Sequence, residues 1–136
     1  MKIDVPPPPI LRALCFATFV VVLVQLFVLD EPRLVKELVN FTWDKACHAT
    51  AYASFATLLW FAVGYRHPRA CWIAVVIVGG LDEIHQYFVP GRDSEVLDVV
   101  ADAVGSAIAV FILHRMSRGA PKTPDLPREA VPQPGD

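Results

Sequence analysis

Residues 70–89 read ACWIAVVIVGGLDEIHQYFV, an apolar run that turns abruptly acidic at Asp82-Glu83 and closes on His85-Gln86. A helix rises 1.5 Å per residue, so about twenty such residues cover the roughly 30 Å of a bilayer's hydrocarbon. Three further stretches have the same length and character, at 10–29, 44–64 and 96–114. Pro68 separates the second from the third, and Pro90-Gly91 breaks the chain after the third, where helices are expected to stop. The pattern predicts an all-α fold: an integral membrane bundle of four transmembrane helices with short loops, spans two to four packing as antiparallel neighbours.

Composition agrees with this reading. Of 136 residues, 54% are hydrophobic, and mean hydropathy is +0.44, both high for a water-soluble chain of this size. Charged residues crowd into the connections and the tail. A net charge of −2 and no basic stripe interleaved with aromatics exclude nucleic acid as a partner. Cys15, Cys47 and Cys71 form no CxxC and read as small apolar residues of the spans.

The expected organisation is a proline-rich N-terminal segment at 1–9, a transmembrane domain at 10–114 and a disordered tail at 115–136. The first hydrophobic stretch is too long for a signal peptide and lacks a small-residue cleavage site, so it is expected to remain as a helix. The tail, SRGAPKTPDLPREAVPQPGD from Ser117, carries five prolines and too little apolar surface to offset its ordering entropy. Leu34, Val35, Leu38 and Val39 in the first connection recur with a helical period, so that segment is expected either to lie flat on the membrane or to be a plain linker. The N-terminus, the second loop and the tail hold eight of the 12 basic residues, which places both termini in the cytoplasm. Trp43, Trp60, Trp72, Tyr65 and Tyr87 lie near span ends and are expected to be interfacial anchors.

The ionisable residues then fall together at the opposite, outer end. Asp44, Lys45 and His48 open span two, Asp82, Glu83, His85 and Gln86 come late in span three, and Asp98 and Asp102 come early in span four. Asp44 and His48 are four apart, as are Asp98 and Asp102, and Asp82 has His85 three and Gln86 four residues on, so each set shares a helix face and Asp82 is expected to pair with His85 or Gln86. Arg92 follows on the Pro90-Gly91 turn. A carboxylate at depth costs on the order of 2.5–3.5 kcal/mol on insertion scales, so a cluster of them marks a functional site more readily than helix glue.

These same residues resemble the VanZ-like family, named for the teicoplanin-resistance protein of glycopeptide-resistance clusters. The resemblance runs from Asp44 to Ile112 and rests on separate blocks in order: Asp44-Lys45-Ala46-Cys47-His48 with Tyr52 a turn on, Glu83-Ile84-His85-Gln86, Pro90-Gly91-Arg92, and Asp98. The chain departs from the family at Asp102, where Asn is usual, and at Ala109, where a second Gly is frequent; Gly105 and Ala109 still form a small-xxx-small face. The resemblance implies a multi-pass protein of the bacterial inner membrane. It does not name a reaction.

Three functions follow. The first is binding or protection of a lipid-linked cell-envelope intermediate at the outer leaflet, affecting glycopeptide susceptibility. In it Lys45 and Arg92 meet phosphates, and Asp44, Gln86, Asp102 and the other carboxylates meet sugar or peptide groups. The second is an enzyme acting on such a lipid, with His48 or His85 as base or nucleophile and Glu83 or Asp98 orienting it, although no established catalytic motif is present. The third is an ion or proton pathway, for which the cytoplasmic half offers few polar residues. No cofactor is implied, and no metal is assigned, because no HxxxH or HExxH spacing occurs on one helix. The expected partners are the lipid bilayer, the envelope precursor, and a second copy of the chain, because one chain covers the polar cluster thinly.

Overall fold

A computed structural model of the protein describes residues 6–28, 41–90 and 94–117, with backbone only at 41–42. Four helices follow in order: α1 (Pro9–Val28), α2 (Phe41–Ala62), α3 (Pro68–Phe88) and α4 (Val96–Ser117). They lie on the four apolar segments of the sequence. α2 begins three residues earlier than expected, and α4 runs three residues further, to Ser117. The 30–43 connection falls outside the described residues up to 40, as do the tail from 118 and the Arg92 turn.

Two of the helices, Pro9–Val28 and Val96–Ser117, are long and apolar enough to cross a membrane. α2 and α3 have 22 and 21 residues but carry the polar clusters. The largest helix contact is between α2 and α4, followed by α3 with α4, and α1 lies mainly against α2. Gly105 explains the first of these. A Cβ there would overlap the Ala49 backbone carbonyl, so only glycine lets the α2 and α4 backbones come this close.

The α2–α3 turn is built from local chemistry. The Tyr65 amide bonds the Trp60 carbonyl and the Gly64 amide bonds the Phe61 carbonyl, both at 3.1 Å. Gly64 takes φ +70°, the left-handed value this helix ending requires and a residue without Cβ adopts cheaply. Tyr65 folds back on Phe61, ring centroids 5.3 Å apart. From the start of α1, the Arg12 Nε donates to the Ala62 carbonyl at 3.1 Å, a cation on the negative end of α2. Pro68 then opens α3, where its missing N–H costs nothing.

Beside this turn lies an apolar core of Phe19, Phe55, Ala56, Trp60, Cys71, Val75 and Val110. Trp60 corrects the expectation of an interfacial anchor: it is fully buried, its edge against the His114 ring at 5.9 Å. Its position near the end of α2 resembled an anchor's, but α1, α3 and α4 close around it. Trp43 and Tyr87 are exposed, and Trp72 donates its Nε1 to the Ala103 carbonyl at 3.0 Å, tying α3 to α4. Cys71 is buried, Cys15 half-buried and Cys47 exposed, all with free thiols.

Candidate functional site

The far end of the bundle joins the start of α2, the end of α3 and the start of α4. Asp82, Glu83, Gln86, Asp98 and Asp102 are each at most 5% exposed there, five polar groups in a protein whose remaining core is almost wholly apolar. Helical spacing brings them inward: Asp82 and Gln86 on one face of α3, Asp98 and Asp102 on one face of α4, and Asp44, His48 and Tyr52 on one face of α2.

Three sets of bonds join these faces. The Lys45 ammonium is ion-paired with Asp98, donates to Glu95 Oε2 at 2.7 Å, and reaches Asp44 at 3.5 Å. The His48 Nδ1 pairs with the Asp102 Oδ1 at 3.1 Å, and its ring lies parallel to that of Tyr52. Asp82 accepts from both the Tyr52 hydroxyl, at 3.1 Å, and the Gln86 amide, at 3.0 Å. Glu83 accepts the Glu95 backbone N–H at 2.8 Å, which fixes the approach to α4. Glu83 Oε1 and Asp102 Oδ2 are buried with no hydrogen-bond partner among the described residues.

The structure thus draws together Asp44, Lys45, His48, Glu83, Gln86, Asp98 and Asp102. His85 stands apart: its ring packs edge-on against Phe27 of α1 at 5.5 Å, and it is Gln86 that bonds Asp82. Arg92 lies outside the described residues. Lys45 is surrounded by carboxylates. Two residues join the site that were assigned no role in it: Tyr52, which stood in the first of the resembling blocks, and Glu95. Tyr52 carried a signal, being four residues after His48 on the same face; Glu95 did not, since a lone acid before a helix normally faces solvent.

Gly79 completes the packing. A Cβ there would sit 2.7 Å from the Asp102 Oδ2, so this glycine makes room for the carboxylate rather than for another helix, while Gly80 beside it meets open space. That space belongs to a cleft of about 440 Å³ between the end of α3 and the start of α4. Ile84, Tyr87, Phe88, Val96 and Val99 wall it, and Glu83 supplies its buried carboxylate.

Asp44, His48 and Asp98 each place a donor atom within 4.8 Å of the others, so these three could hold a metal ion. They come from two helices, which no single-helix spacing reveals.

A family model, VanZ/LLP1, matches residues 14–117. The chain belongs to the VanZ/LLP1 family. The match covers most of α1 and all of α2, α3 and α4, so the whole bundle, and not the polar blocks alone, carries the family pattern. VanZ/LLP1 membership and the two membrane-length apolar helices support a membrane protein. No curated protein and no solved structure matches the chain.

Proposed function

We propose that this VanZ/LLP1 protein binds the head of a lipid-linked cell-envelope intermediate at the outer leaflet of the bacterial inner membrane, and so affects glycopeptide susceptibility. The carrying observation is the cleft between α3 and α4, apolar along its walls and ending on the buried Glu83. An amphipathic ligand needs that combination: apolar wall for a chain, and an unsatisfied acceptor for a hydroxyl or amide of the head. All four helices cross the bilayer in this reading, with both termini cytoplasmic. Exposed Leu14, Val21, Ile73, Ile77, Ile108 and Phe111 then face lipid.

Recognition rests on carboxylates more than on cations. Lys45 already serves Asp98 and Glu95, so it orients acids in the resting site, and Arg92 remains the cation proposed to meet phosphate directly. His48, held by Asp102, adds a polar group beside Asp44 and Asp98.

One observation favours an enzyme as the second reading. A histidine whose Nδ1 is held by a buried carboxylate is the oriented base of many hydrolytic sites, with Nε2 left to take a proton. Growth of a deletion strain on a panel of cell-wall antibiotics tests the proposal, complemented by the wild type and by Glu83→Gln, His48→Ala and Arg92→Ala. The expected outcome is altered susceptibility restored by the wild type alone, with all variants inserted in the membrane. Full complementation by all three would remove the site from the function.

A further inference from the structure

We infer that Asp44, His48 and Asp98 bind one divalent cation, of the class that prefers mixed oxygen and nitrogen donors, and that its open coordination positions receive a phosphate oxygen of the ligand. The second half rests on the lipid-binding reading above. The first half stands on the site alone.

The donor set comes first. Asp44 and His48 lie one turn apart on α2, Asp98 faces them from α4, and their donor atoms lie within 4.8 Å of one another, a spacing a single ion can span. Two carboxylates and an imidazole suit a divalent transition ion such as Mn²⁺ or Zn²⁺. Three protein ligands leave positions for an exogenous oxygen, as in metal sites that act on a bound molecule.

The support around the histidine comes second. Asp102, 1% exposed, holds the His48 Nδ1 at 3.1 Å. A proton on Nδ1 leaves the lone pair on Nε2, which is how a carboxylate behind a histidine fixes the tautomer and raises its basicity for a metal. Asp102 is itself buried without a second partner on Oδ2, so orienting His48 accounts for its only side-chain hydrogen bond among the described residues.

The charge balance is the third and independent observation. Among the described residues, and leaving Asp82 aside, Asp44, Glu83, Glu95, Asp98 and Asp102 gather around one lysine and one histidine. Glu83, 5% exposed, keeps Oε1 without a hydrogen bond among the described residues. So many carboxylates in a poorly hydrated place repel one another unless protons or a cation intervene. Lys45 occupies part of this field, yet it has Glu95 at 2.7 Å as an alternative acceptor. It can remain on Glu95 while an ion takes Asp44 and Asp98. A bound dication also answers how so acidic a site would meet a phosphate: it converts carboxylates that repel phosphate into a bridge to it.

The test is Mn²⁺ binding to the full-length chain in detergent or nanodiscs, stripped of metal and free of added lipid, read by electron paramagnetic resonance and calorimetry. The expected result is one saturable Mn²⁺ per chain, weakened at least tenfold by His48→Ala and by Asp98→Asn. Lys45→Gln, which removes the competing ammonium, is expected to tighten binding several-fold. Should one ligand variant fail to fold, the other and Lys45→Gln decide. Absence of saturable Mn²⁺ binding in the wild type, or binding unchanged in both ligand variants, overturns the site. Because no lipid is present, such a failure leaves lipid recognition standing, and a failure of lipid recognition leaves the ion site standing.

Discussion

The two ends of this bundle are built on opposite principles. At the end near the α2–α3 turn, Trp60, Val75 and Ala56 are fully buried, aromatic edges interlock, and a glycine-ended helix capped by Arg12 fixes the geometry. At the other, Asp82, Asp98 and Asp102 are almost as buried, but each is a carboxylate that has to be held by polar partners, Tyr52 and Gln86, Lys45, and His48 respectively. Apolar packing gains from every contact, whereas clustered carboxylates cost stability unless a partner neutralises them. One end therefore holds the fold, and the other spends part of that stability on a site. α1 and α4 are apolar enough to cross a membrane by composition alone, yet α4 also carries Asp98 and Asp102 at its start, so the polar end is shared by α2, α3 and α4.

Substitutions sharpen that contrast. The largest effect is expected at Gly105, where any side chain meets the Ala49 backbone, which cannot yield as a flexible side chain would. Gly105→Val should abolish the folded, monodisperse species in detergent chromatography, because the α2–α4 contact organises both ends. Trp60→Ala comes next. Truncating a buried tryptophan typically costs about 3–5 kcal/mol, and thermal unfolding in detergent should show a corresponding drop, with ligand binding retained by the molecules still folded. A loss of binding as deep as the loss of stability would mean that the two ends are not separable.

Much of this was legible in the sequence. Twenty-residue apolar runs and proline breaks located all four helices, and spacing of four set Asp44 beside His48 and Asp98 beside Asp102, while for Asp82 it left both His85 and Gln86, of which the structure shows Gln86. What periodicity cannot supply is the pairing between helices. Nothing in the chain said that His48 would meet Asp102 rather than Asp82, or that Lys45 would reach Glu95, fifty residues on. Trp60 was misread for a related reason: position along a helix does not tell which face neighbours cover. Gly79 makes room for a carboxylate that belongs to another helix, a contact no pattern within one helix shows.

The smallest expected effect falls on the acidic end. Asp102→Asn keeps an oxygen for the His48 ring and removes one buried charge, so stability should rise by up to about 1 kcal/mol in thermal unfolding. A fall of several kcal/mol would show that Asp102 is paired as a charge in the resting protein, and the contrast between the ends would weaken.

The most direct test of the central claim is native mass spectrometry of the purified chain with an undecaprenyl-type lipid-linked envelope precursor, comparing the wild type with Glu83→Gln and recording thermal stability of both. The account predicts that the wild type retains the lipid and that Glu83→Gln loses at least tenfold in affinity while unfolding at the same or a higher temperature. Equal binding by the two, or a Glu83→Gln chain that no longer folds, would contradict it.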